Sequence, residues 1–243
     1  MSIYVGSDKI SKIYQGSILI YQSEPDYPSD SVDLGLSSGL LWCTHNIGCT
    51  TPAAFGLGFQ FGDTVGAIGG TTGAPAASYS TWSTSPCNGS NSSADNSSIS
   101  AWDETYLDST FVLYDDNDAA VQHMTKGWRM PQPEDFSELI SNTTQEYTTL
   151  DGKYGWKFIN KTDSSKYIFL PLLGFYNNTT WEQNNTTGLY WSSQAVAEGD
   201  TSAFALWLTT SASSETDGGY VDEAFRNFNA PIRPVFDINK SKN

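Results

Sequence analysis

Gly35-Leu36-Ser37-Ser38-Gly39 has the Gly-x-Ser-x-Gly spacing of a hydrolase nucleophile elbow, where a strand-to-helix turn lifts a serine hydroxyl toward a base. That chemistry needs a helix after the serine. Here Leu40-Leu41-Trp42 continues as a strand, so residues 32–48 read as strand, Ser-Ser-Gly turn, strand. Gly56-Leu57-Gly58-Phe59-Gln60-Phe61-Gly62 is a near miss to a dinucleotide fingerprint: the third glycine comes one place late, with no βαβ pattern around it. Cys43, Cys49, Cys87, His45 and His123 are zinc-ligand types, but their spacing announces no convergent set. Free, mostly buried thiols are the favoured reading, with a Cys43–Cys49 disulfide as the other arrangement. Asp115-Asp116-Asn117-Asp118 offers carboxylates for calcium. It lacks the alternation and the following glycine of an EF-hand loop, and it precedes Ala119-Ala120-Val121, so capping a helix is its simpler role. No cofactor is called for; calcium is the one ion left open. The plentiful acids also raise a glycan hydrolase, yet nothing fixes two carboxylates at a catalytic separation on rigid elements.

A different chemistry is written in Gly174-Phe175-Tyr176-Asn177-Asn178-Thr179-Thr180-Trp181, which continues in the same vein to Gln194. Aromatic rings and small polar side chains bury little area as a core, but they suit a recognition surface: rigid contact from the rings, adaptable hydrogen bonds from the amides. The segment lies between the apolar run Ile168-Phe169-Leu170-Pro171-Leu172-Leu173 and Tyr190-Trp191-Ser192, which read as core strands.

The elements that must carry such a surface are mostly strands. Residues 156–159, 167–172, 189–192, 203–208 and 232–236 have strand composition. Pro133 followed by Glu134 and Asp135, with Phe136, Leu139 and Ile140 at helical spacing, predicts a short amphipathic helix with one buried face. Helices early and strands late predict an α+β fold with an antiparallel sheet. At the start, Ile3-Tyr4-Val5-Gly6-Ser7 recurs as Ile13-Tyr14-Gln15-Gly16-Ser17, which predicts short strands joined by tight turns. Such a hairpin is marginal alone. It is either an attachment and oligomerisation element or a decoration on the main core. Glu24-Pro25-Asp26-Tyr27-Pro28 reads as a stiff linker, giving an N-terminal module over 1–28 and a main domain over 29–243. Residues 63–100, rich in Gly, Ser, Thr, Ala and Asn, read as a long surface loop or insertion.

Composition narrows the partners. With 38% hydrophobic and 14% aromatic residues the chain can bury a real core. Its 27 acidic against 12 basic residues give a charge of −15, which repels phosphate backbones and anionic membrane surfaces. No nucleic acid is therefore expected, and with no run that approaches the ~20 apolar residues needed to span a bilayer, no membrane insertion is expected either. The start has neither a basic region nor an apolar signal core, so a chain made in the cytoplasm is expected.

The motifs Val32-Asp33-Leu34-Gly35-Leu36, Gly127-Trp128-Arg129-Met130-Pro131, Ile168-Phe169-Leu170-Pro171, Gly188-Leu189-Tyr190-Trp191-Ser192, Phe204-Ala205-Leu206-Trp207-Leu208 and Ile232-Arg233-Pro234-Val235-Phe236, in that order, resemble a known group. It is that of C-type-lectin-like domains related to the formylglycine-generating enzyme and to the Fibrobacter major paralogous domain, and within it the variable proteins that retroelements diversify in gut bacteria such as Bacteroides and in their phages. The resemblance spans about residues 32–236, and the N-terminal repeat resembles short modules of phage-tail proteins. It implies a C-type-lectin-like fold, an antiparallel sheet with two short helices and long loops. It also implies a non-enzymatic receptor- or ligand-binding protein, a phage-tail or prophage adhesin that binds a bacterial surface protein or glycan, with homo-oligomers through the N-terminal module. Carried over by position, its binding surface comprises Tyr176, Asn177, Asn178, Leu189, Phe204, Ala205, Asp222, Ala224, Phe225, Asn227 and Phe228, with Tyr190, Trp191, Arg226 and Arg233 as scaffold. Two departures stand out. Codons AAC or AAT altered at their adenines cannot yield Trp181, Glu182, Gln183, Trp207 or Glu223, so these positions are scaffold or the chain is an undiversified relative. No cysteine follows Cys87, so the oxidase chemistry of the wider group is not expected. A glycan-active enzyme and a purely structural virion component are the alternative readings.

Overall fold

The computed structural model describes residues 3–5, 8–10, 12–15, 17–22, 27–68, 85–86, 99–177, 180–210 and 218–241. The chain divides into two compact units, Met1–Ser31 and Val32–Asn243. In the first, β1 (Ile3–Val5) pairs antiparallel with β2 (Asp8–Ile10), and β3 (Lys12–Gln15) with β4 (Ile18–Gln22). The repeat thus becomes two successive hairpins, as its alternation and Gly-Ser pairs predict. Residues 24–26 of the expected linker, and residues 69–84 and 87–98 of the expected insertion, Cys87 among them, lie outside the described residues.

The larger unit opens with β5 (Ser31–Asp33), β6 (Leu41–Cys43), β7 (Leu57–Gly58) and β8 (Ala67–Ile68). Three helices follow, α1 (Ile99–Tyr106), α2 (Ala119–His123) and α3 (Pro133–Asn142), with β9 (Trp128–Arg129) between the last two. Then come β10 (Thr143–Leu150), β11 (Lys153–Asn160), β12 (Tyr167–Pro171), β13 (Phe175–Asn177), β14 (Thr180–Glu182), β15 (Thr187–Ala195), β16 (Ser202–Thr209), β17 (Gly219–Phe225), β18 (Val235–Phe236) and the terminal turn α4 (Ile238–Ser241). The strands group as β10-β11-β12, β15-β16-β17, β13-β14 and β5-β6-β18-β9, antiparallel throughout the first three groups and between β18 and its neighbours β6 and β9. This is an α+β chain with antiparallel sheets and few, short helices. The last strand, β18, lies between β6 and β9, so the end of the unit is stitched to its beginning.

Alternation along β15 and β16 splits the interior in two. Leu189, Trp191, Ala203 and Ala205 join a core with Phe59, Phe61 and Phe228. Tyr190, Leu206 and Leu208 face the other way, into a core with Trp42, Phe136, Leu139, Trp156 and Phe158. The helix α3 feeds Phe136 and Leu139 into that second core, and its start is fixed by Pro133 at the first position and by the Gln132 N–H donated to Asp135 Oδ2 at 2.7 Å. Asp118 caps α2, accepting the N–H groups of Ala120 (2.8 Å) and Val121 (3.2 Å), the role read from the sequence.

Two arginines without any exposed surface act as internal fasteners. Arg233 donates to Asn46 Oδ1 (2.8 Å) and to the carbonyls of Cys43 (3.2 Å), Pro52 (3.3 Å) and Phe169 (3.1 Å), tying the loop after β6 to β12. Burial lowers its pKa, and the neighbouring Tyr190 hydroxyl group and thiols oppose that shift. Arg226 pairs with Asp103 of α1 and donates to the carbonyls of Ser202 (3.1 Å) and Ala197 (3.3 Å), with its guanidinium over the Phe61 ring.

Candidate functional site

The resemblance points to residues between 176 and 228, and the local geometry there starts from Gly174. This residue has φ of +68°, and a Cβ on it would lie 2.1 Å from Glu182 O, so only glycine lets the chain turn out of β12 into β13 here. The β13-β14 hairpin that follows is held by Trp181, whose indole N–H reaches Leu173 O at 2.8 Å and whose ring stacks on Tyr176. On the opposite face of the hairpin, Asn177 Nδ2 donates to Glu182 Oε1 at 3.0 Å.

Main-chain bonds join this hairpin to the segment after β17. Tyr176 N and Asn229 O are 2.9 Å apart, as are Asn229 N and Tyr176 O. That segment is itself bolted down by Arg226 and by Gln60, whose Nε2 donates to Asn227 O at 2.9 Å. Asn229 is wholly buried, and neither polar atom of its side chain meets a hydrogen-bond partner among the described residues. A Cβ at position 58 would lie 1.8 Å from its Oδ1, so any larger residue there has to displace the Asn229 side chain.

A chain of rings runs from core to surface across these elements. Trp207 meets Phe175 edge-on at 5.4 Å, Phe175 stacks on Phe228 at 4.8 Å, and Phe228 meets Phe225 edge-on at 5.6 Å. Phe225 is 52% exposed, and Tyr220, paired across the strands with Trp207, is 46% exposed. Trp207 also crosses to β17 with its indole N–H on Glu223 O at 3.2 Å. Between the two exposed rings stand Asp222 and Glu223, both exposed. By strand alternation Tyr220 and Asp222 lie on one face of β17 and Glu223 and Phe225 on the other, so this sheet edge offers a ring and an acid to each side.

Several residues expected at the surface are not there. Leu189, Ala205 and Ala224 lie in the core beside Phe59 and Trp191, and Asn227 is buried with its carbonyl tied to Gln60. The physical reason is strand alternation: Phe204 and Ala205 are neighbours in β16 and so point to opposite faces. Tyr176 and Phe228 are mostly covered by their ring partners, Asn177 and Phe204 are half-buried, and Asp222 and Phe225 are exposed. Asn178 lies outside the described residues. Tyr190, Trp191, Arg226 and Arg233, expected as scaffold, have no exposed surface. Tyr220, Trp207 and Trp181 shape the surface; Tyr220 was not among the expected residues, while Trp207 and Trp181 were expected as scaffold or as signs of an undiversified relative. The alternation Ala203, Ala205, Trp207 holds the signal for the second.

The other chemistries resolve into structure. Ser37 donates its hydroxyl to Glu138 Oε1 at 2.6 Å, and β6 follows, so the Gly-x-Ser-x-Gly run is a turn capped from α3. Burial raises the Glu138 pKa, but the hydrogen bonds from Ser37 and Ser38 outweigh it and leave the group below its ordinary value. Cys43 and Cys49 are not joined in a disulfide, and Cys43 Sγ lies 3.9 Å from His45 Nδ1. His123 Nε2 contacts Thr64 O at 2.8 Å, while His45 Nδ1 contacts Asn46 O at 3.1 Å; no cluster joins both histidines to the cysteines among the described residues. A cleft of about 320 Å³ between Asp103, Glu104, Leu107, Asp108, Phe111 and Glu198 is acidic, with Asp103 committed to Arg226. Searches against protein-family models, curated proteins and solved structures find no match to the chain.

Proposed function

We propose that this chain is a non-enzymatic receptor- or ligand-binding protein that carries its binding face on a C-type-lectin-like scaffold, as an adhesin of a phage tail or prophage directed at a bacterial surface protein or glycan. The single observation behind this reading is the edge of β17, where Tyr220 and Phe225 stand exposed on a frame of buried rings. Exposed rings on a rigid backing lose little freedom when they bind, and that makes them effective contact residues. The ordered motifs and the antiparallel sheets with short helices support the scaffold half of the proposal.

The test is a binding screen of the full chain against arrays of bacterial surface proteins and glycans, beside Phe225→Ala/Tyr220→Ser. Both side chains are about half exposed, so the variant is expected to keep its unfolding midpoint and to lose binding tenfold or more. A variant that binds as the parent does would overturn the assignment of this face. Sequencing the gene from many isolates tests the variable-protein half: substitutions confined to adenine positions of codons 175–229 are expected.

A further inference from the structure

We infer that the partner of this face is a protein that offers a basic segment, with Lys or Arg side chains laid across β17. The inference rests on the binding-face reading above and adds the chemistry of the partner. From Tyr167 to Asp237 the sequence holds eight acidic residues and two basic ones, and the two are Arg226 and Arg233. Both arginines are spent inside the fold, so that stretch brings no exposed cation to the surface.

The carboxylates of β17 are correspondingly unmet. Asp222 accepts the N–H of Glu223 at 2.8 Å, and among the described residues neither Asp222 nor Glu223 has a cation beside it. Along this outer strand, which pairs with β16 on one side, Asp222 shares a face with Tyr220 and Glu223 shares the other with Phe225, so each acid has a ring two residues away on its own side. A Lys or Arg side chain fits both parts of this pattern at once: its aliphatic stem covers the ring, its charge meets the ring face, and its head pairs with the carboxylate. Two acids side by side on an outer strand also discourage pairing with another copy of the same strand, because like charges would be brought together. Anionic glycans are repelled by the same charges. A neutral glycan would use the rings and leave the carboxylates without a counter-charge, whereas a basic protein segment uses both.

A displayed library of random twelve-residue peptides, sorted on the full chain, tests this directly. Selected peptides should be enriched in Lys and Arg, and should lose at least tenfold in affinity for Asp222→Asn/Glu223→Gln. They should bind Asp115→Asn/Asp116→Asn within about twofold of the parent, although that variant loses the same net charge. Equal losses in the two variants would reduce the effect to the general field of an acidic protein and overturn the inference. Selected peptides without basic enrichment, but sensitive to Phe225→Ala/Tyr220→Ser, would overturn the basic partner and leave the binding face standing. Selected peptides indifferent to both β17 variants, or a library that yields no binder, would count against the inference and the face together.

Discussion

Asp118 shows how one side chain can hold two elements together. Besides capping α2 it accepts Met130 N–H at 2.9 Å, so a single carboxylate joins the helix start to the strand that leads into α3. Burial raises its pKa against the pull of those N–H groups, which marks it as a carboxylate kept for its hydrogen bonds. Asp118→Ala removes the cap and leaves a buried donor unmet, and the expected loss is about 2–4 kcal/mol in a denaturant titration. Glu138 makes the complementary case at the surface. Its folded pKa lies below the ordinary value of 4.5, so between the two values the unfolded chain binds more protons and stability rises with pH. Glu138→Gln should therefore be less stable than the parent above pH 4.5, with the gap closing as the pH falls through the folded pKa. Denaturation midpoints taken at stepwise pH check this, and a gap that widens on acidification would contradict it.

At the scale of elements, glycines with the same backbone sign have very different costs. Gly152 follows Asp151 in the turn between β10 and β11, with φ of +74° and open space where a Cβ would go. Gly174 has nearly the same φ but faces Glu182 O at contact distance. Gly152→Ala is expected to cost about 1 kcal/mol, the backbone penalty alone. Gly174→Ala must push β14 away from β13, so it should cost several times more and also impair ligand capture, as a paired denaturation and binding assay would show. The same elements show what the sequence could and could not tell. The strands of the core were legible where large apolar residues run together, as in β12 and β15, and α3 was legible from Pro133 and its spaced apolar residues. The β10-β11 hairpin went unrecognised as a pair although Asp151-Gly152 between alternating residues signals it, because β10 is largely threonine and polar groups and buries little. Likewise β17 was not among the expected strands, since an outer strand carries its acids and rings toward solvent. The candidate site was legible as a region, from its amides and rings. Its individual residues depended on which way each strand side chain points, and that register is set by pairing partners far along the chain.

For the molecule as a whole, the division into two units makes unequal demands on folding. The described buried core residues run from Leu34 to Phe236, so the larger unit carries its cores within itself. Among the described residues the smaller unit, Met1–Ser31, forms two short hairpins, and its length is well under the size at which a chain buries enough surface to be stable alone. Strands of that size need a cover, and if copies of the same hairpins on other chains supplied it they would also multiply the proposed binding face into an avid one. A chain that begins at Tyr27 separates these demands. Its unfolding midpoint should stay within about 2–4 °C of the parent, the shift that about 1 kcal/mol produces in a domain of this size. Its mass by light scattering should fall to that of a single chain if the hairpins assemble the protein, and capture on a multivalent surface should weaken while the affinity for a single immobilised peptide stays the same. An unchanged mass together with a lower midpoint would reverse the assignment: the hairpins would then be part of the main unit's own packing, and avidity would have to come from elsewhere.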